Sequence, residues 1–191
     1  MIKKYAVIVA ATAGLALVTG LSLTTPSLAE KTVMVGGAEM FPSKNIIQNA
    51  MNSKDHTTLV AAVKAAGLVD TLQGSGPFTV FAPTNAAFDK LPDGTVPMLL
   101  KPENKGKLSG ILTYHVVSGN LTARDLWDLV DKNGGKAELK TVNGEPLWIK
   151  KVSEKHLAVF DPAGHAGRIT ISDVQQSNGV IHVIDNVVQP N

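Results

Sequence analysis

The feature that most restricts what this chain can become is a change of rhythm near Gly134. Before that point apolar residues recur at every third or fourth position, and after it at every second. Ile46, Ile47, Ala50 and Met51 share one helical face behind Ser43 as a candidate N-cap, and Leu59, Val63 and Ala66 repeat the pattern until Gly67 ends it. GSGP at 74–77 is turn chemistry that launches FTVFA, whose aromatic and β-branched residues predict a buried strand. Pro83 and Thr84 then open a short helix carrying Ala87, Phe88 and Leu91. A helix from about Pro102 buries Leu108, Ile111 and Leu112 and passes into a strand over 115–117. Thr122 and Asp125 form a capping pair for a helix with Leu126, Leu129 and Val130 on one face.

Beyond Gly134, ELKTV and PLWIK flank Asn143-Gly144, which predicts a hairpin with a two-residue turn. LAVF, RITIS and VIHVI follow as further strands. Helices first and strands afterwards predict an α+β domain, several short helices packed on antiparallel-rich strands, rather than a wound parallel sheet.

Lys3 and Lys4 precede an 18-residue charge-free run from Ala6 to Leu23, and Ser27 and Ala29 then stand where a signal peptidase accepts small residues. Residues 1–29 are therefore expected to be a bacterial-type secretory leader cut near Ala29, leaving a product that is secreted or periplasmic and not membrane-bound. An uncleaved membrane anchor is the rival reading of the same run. Residues 30–42 carry no clear period and are expected to form a flexible arm, with the folded domain spanning 43–190.

Cleavage would remove two of the 18 basic residues and none of the 16 acidic ones, leaving 16 against 16. Only Arg124 and Arg168 carry the forked guanidinium suited to phosphates and base edges, so nucleic acid is not an expected partner. The absence of cysteine means that packing alone holds an exported domain together.

The motifs of catalysis are not found. His56, His115, His156, His165 and His182 show no i, i+3 or i+4 pairing, so neither a metal nor another cofactor is expected. No G-x-S-x-G occurs, and the glycines of GSGPFT precede a strand where a dinucleotide loop would follow one. Asp125, Asp128 and Asp131 read as a solvated helix face. Asn120-Leu121-Thr122 is a glycosylation sequon, read more simply as a turn beside Gly119.

Three segments, TVFAPTNAAF at 79–88, TYHVV at 113–117 and NGVIHVIDNVVQP at 178–190, together resemble the fasciclin domain in order and interval. The resemblance implies helices on a wedge of β-strands and a non-catalytic adhesion or matrix-interaction module whose partner is a cell-surface or matrix protein or polysaccharide. By position, Thr79, Phe81, Pro83, Thr84, Asn85 and Phe88 fall in the family's first box, and Asn178, Gly179, His182 and Asp185 in its second. Tyr114 and His115 match a pair that some animal relatives use to engage integrins, and Asp173 and Val174 match a second recognition dipeptide. Ala86, Asn186 and Gln189 depart from the family pattern. The residues allow a second account: at a helix-to-strand junction flanked by apolar side chains, a phenol or imidazole is expected to be buried and hydrogen-bonded, as is His182. The rival functions are a carrier with an apolar cavity and an envelope enzyme with a cleft converging on His115, His182 or Asp185.

Overall fold

The computed structural model describes residues 30–191, and the expected leader with its expected cleavage near Ala29 lies outside the described residues. Residues 33–40, expected to belong to a flexible arm, form a hairpin of β1 (Val33–Val35) and β2 (Ala38–Met40). Gly36 and Gly37 turn it at φ of 58° and 75°, a left-handed pair that glycine adopts without strain. Val35 and Met40 are buried, so this segment closes one end of the core.

α1 (Ile46–Ala50) is capped by Asn45 rather than Ser43, because Asn45 and Gln48 satisfy each other's backbone N–H groups in a capping box. α2 (Thr57–Ala66) ends at Gly67 with φ of 72°, and α3 (Val69–Gln73) leads into β3 (Phe78–Pro83). Thr84 caps α4 (Asn85–Phe88), which is followed by α5 (Thr95–Leu99). A 3-10 turn at Pro102–Asn104 precedes α6 (Lys105–Tyr114), so the proline stands one turn ahead of the α-helix. β4 (Val116–Ser118) and α7 (Ala123–Lys132) complete the helix-rich half, the latter with the expected Thr122–Asp125 capping box.

The remaining strands are β5 (Lys136–Lys140), β6 (Pro146–Ser153), β7 (His156–Phe160), β8 (Ala166–Gln176) and β9 (Gly179–Ile184). Together with β3 and β4 they build one sheet in the order β4-β3-β9-β8-β7-β6-β5, antiparallel except for the β3–β9 pair. The turn between β5 and β6 is a five-residue loop, 141–145, rather than a two-residue turn. Thr141 leaves β5 to bridge Val117 of β4, and Val142 N–H donates to Val116 O, so two strands distant in the sheet order are drawn together.

The β3–β9 pair separates two cores. Val80, Ala82, Ile181 and Val183 face α1, α2 and α6, whereas Phe81 and Ile184 face β5–β7 and α7. β8 passes from one to the other: Ile169 packs on the wedge side and Val174 on the helical side, with two register shifts between them and Asp173 at φ of 58°. Among the described residues no helix is long and apolar enough to cross a membrane.

Candidate functional site

The first box works as a set of internal ties. The Thr79 hydroxyl donates to Gly119 O at 2.7 Å and accepts from Leu121 N at 2.9 Å, fixing the loop that enters α7. The ring of Phe81 lies 5.7 Å from that of His182 at an interplanar angle of 27°. Thr84 Oγ1 accepts from Ala87 N, and Asn85 accepts from Thr58 N at 3.0 Å while donating to Lys54 O at 2.8 Å, so one amide joins α4 to the entry of α2. Pro83 and Phe88 are buried at the end of β3 and in α4.

In the second box Asn178 is a three-way staple. Its Oδ1 accepts from Ile46 N at 3.0 Å, and its Nδ2 donates to Leu72 O at 2.8 Å and Gly74 O at 2.9 Å. A side chain on Gly179 would set its Cβ 2.0 Å from Phe78 O, and φ there is 153°, so the parallel β3–β9 pairing requires glycine. His182 and Asp185 do not touch as a pair. His182 Nε2 lies 2.8 Å from Leu121 O, while Asp185 accepts from Arg168 N at 2.8 Å and meets Arg168 Nε at 3.4 Å.

Tyr114 and His115 stand edge-to-face at the end of α6, 0% and 2% exposed. The Tyr114 hydroxyl donates to Pro146 O at 2.8 Å, and burial pushes its pKa well above the ordinary phenol value. His115 Nδ1 lies 2.8 Å from Ile111 O, and its Nε2 accepts from Val188 N at 3.3 Å. Those partners require a neutral ring with the proton on Nδ1, and burial lowers its pKa to about 4. His182 is likewise lowered by burial, with Nδ1 accepting from Asp173 N at 3.4 Å. Asp173 Oδ1 accepts from Ala123 N at 2.7 Å, at the first turn of α7, and Val174 is 1% exposed. The second dipeptide therefore has a half-buried acidic member tied to α7 and an aliphatic member inside.

No group of three or more potential metal ligands gathers among the described residues. An apolar gap of about 40 Å³ under α1–α3, lined in part by Ile47, Leu59, Val63 and Leu72, is smaller than the ~150 Å³ cavity that admits benzene.

Two features were missed in the sequence. Asp161 is buried and accepts from His165 N, His165 Nδ1 and Gln189 N at 2.8, 2.9 and 3.0 Å, tying the C-terminal tail to the β7–β8 turn. On the outer face of β5–β7, Lys136 and Lys150 lie over the rings of Trp148 and Phe160 at 4.6 and 4.4 Å from the centroids. The alternation of KAELK and PLWIK held that signal, since the residues between the buried ones had to share one outer surface.

The chain resembles known proteins over nearly its full length. The Synechocystis sp. (strain PCC 6803) protein sll1483 is 44% identical over 197 residues, covering 98% of this chain and 98% of its own length. The Sus scrofa transforming growth factor-beta-induced protein ig-h3 is 36% identical over 132 residues, 69% of this chain and 17% of that protein. A solved domain pair from the insect cell adhesion molecule Fasciclin I shares the fold with a TM-score of 0.69 at 18% identity, over 83% of this chain and 58% of that one. The fasciclin domain model matches residues 54–190, which includes all three segments, and the chain belongs to the fasciclin-domain family.

Proposed function

We propose that the chain is exported, loses its leader near Ala29, and acts as a non-catalytic adhesion module that binds a cell-surface or matrix protein or polysaccharide. Contact is made by the outer face of the wedge. The observation that supports this reading most is the commitment of Tyr114, His115 and His182 to internal hydrogen bonds at 0–2% exposure, which leaves those polar groups unavailable to a substrate. Family membership and the fold shared with a cell adhesion molecule point the same way. In this account Tyr114, His115, Asp173 and Val174 act on binding by holding the wedge and α7 in place.

The test is retention of the mature protein on cell-envelope and polysaccharide preparations, with a thermal melt run beside each variant. Folded wild type is expected to be retained and heat-unfolded protein to pass through. Folded protein that is retained on no such surface would remove the proposal.

A further inference from the structure

The strand register places the outer side chains of β5–β8 in rows that cross the strands. Lys136 pairs with Lys150, Lys150 with Ala158, and Ala158 with Arg168, giving one row with three cations. The neighbouring row is Glu138, Trp148, Phe160 and Ala166. Each row spans three strand spacings, about 14 Å. Ala158 faces outward yet is 1% exposed, so the larger side chains around it close over that position.

Like charges directly opposite on adjacent strands destabilise a sheet, and Lys136 against Lys150 is such a pair. Among the described residues, the ion pairs formed are Lys151–Asp131, His165–Asp161 and Arg168–Asp185, none of which uses Lys136, Lys140 or Lys150. The rings of Trp148 and Phe160 hold the two ammonium groups without neutralising them. Two like charges thus stand opposite each other at an exposed place, held by aromatic rings but paired with no carboxylate among the described residues, which is the pattern of a surface shaped for something outside the chain.

We infer that this face docks acidic polysaccharide, a sugar chain bearing carboxylate or sulfate groups that lies across the strands; the inference rests on the adhesion reading above. Acidic groups settle on the Lys136–Lys150 row and on Lys140, which stands on the far side of the Trp148–Phe160 row, and sugar rings lie against that aromatic row between them. Glu138 stands at the head of the aromatic row, where its carboxylate accepts hydroxyl hydrogens and repels a densely charged polyphosphate. The single arginine of the face is already engaged by Asp185, so forked phosphate contacts are not on offer.

The experiment measures affinity for polygalacturonate, dextran sulfate and uncharged dextran. Wild type is expected to bind one or both anionic polymers and not dextran, and which polymer it prefers identifies the acidic group. Lys136→Gln/Lys150→Gln should weaken binding at least tenfold, and Trp148→Ala several-fold, while Lys101→Gln/Lys107→Gln on the helical side changes nothing. Lys136→Glu, which sets a carboxylate opposite Lys150, should hold or raise the melting temperature and abolish binding. Unchanged affinity in the double variant overturns the inference, as does a fall in melting temperature for Lys136→Glu or tighter binding to oligothymidylate than to polygalacturonate. If the double variant is retained on cell envelopes as wild type is, the inference falls and the adhesion reading stands. If wild type itself is not retained there, the adhesion reading falls.

Discussion

The two cores share the strands β3 and β9 but are closed differently. On the wedge side Phe81, Leu126, Val130, Leu147, Ile149, Val159 and Ile184 are all 0% exposed. On the helical side Leu59, Leu72, Phe88 and Val80 retain 7–9% exposure, and two gaps of about 40 Å³ each lie among the side chains, one apolar and one with Lys107, His115 and Gln189 in its lining. Period-two strands present a continuous row of inward side chains, whereas short helices of five to ten residues meet the sheet at separate points and leave spaces between them. The wedge core is therefore the more completely closed of the two, and the helical core is the one with room left between its side chains.

The largest expected effect tests that contrast directly. Leu147→Ala on the wedge side should cost about 4 kcal/mol, near the upper part of the range for buried leucine, and Leu59→Ala on the helical side about 2 kcal/mol. Urea denaturation of both variants measures the difference, and equal costs would erase the distinction between the cores.

The next effect concerns the seam. His115 borders the gap under α1–α3 and accepts a hydrogen bond from Val188 of the wedge core, so its neutral form serves both sides. With its pKa lowered by burial from 6.5 to about 4, the unfolded chain binds this proton more readily than the folded one. Its contribution is complete above pH ~6.5 and is lost as pH falls toward ~4, amounting to about 2 kcal/mol by pH 5. His182 and His56, also lowered by burial, add in the same direction. Denaturation at pH 7.5 and pH 5 should show that loss, and a flat profile would mean that the seam opens to admit the charge.

The smallest effect sharpens the picture on the wedge side alone. Tyr114→Phe keeps the ring and removes the hydroxyl that donates to Pro146 O, and should cost about 1 kcal/mol in the same assay.

Much of this was legible because local rules and tertiary structure agree. Gly67, the Thr122–Asp125 box and the change of period at Gly134 each act within a few residues of themselves. The failures share a cause in longer-range competition. Asn143-Gly144 would serve a two-residue turn, but Val142 N–H donates to Val116 O of β4 and Asn143 N–H to Thr113 O at the end of α6, and the loop lengthens to reach them. Residues 30–42 looked unstructured because a three-residue strand is too short to show a period, while the burial of Val35 and Met40 depends on α1 and the rest of the helical core. The second box was legible as a motif but not as mechanism, since nothing local says that Asn178 reaches Ile46, Leu72 and Gly74. The Lys–Trp–Phe face was missed because rows across strands exist only once the register is known.

The stitch between Val117 and Thr141 also bears on how the molecule meets copies of itself. Unpaired strand margins invite neighbouring molecules to polymerise into fibrils, and tethering the β4 margin to the loop beyond β5 takes part of that invitation away. A domain without disulfides thereby gains protection against self-templated growth while the outer face of the wedge stays uncovered.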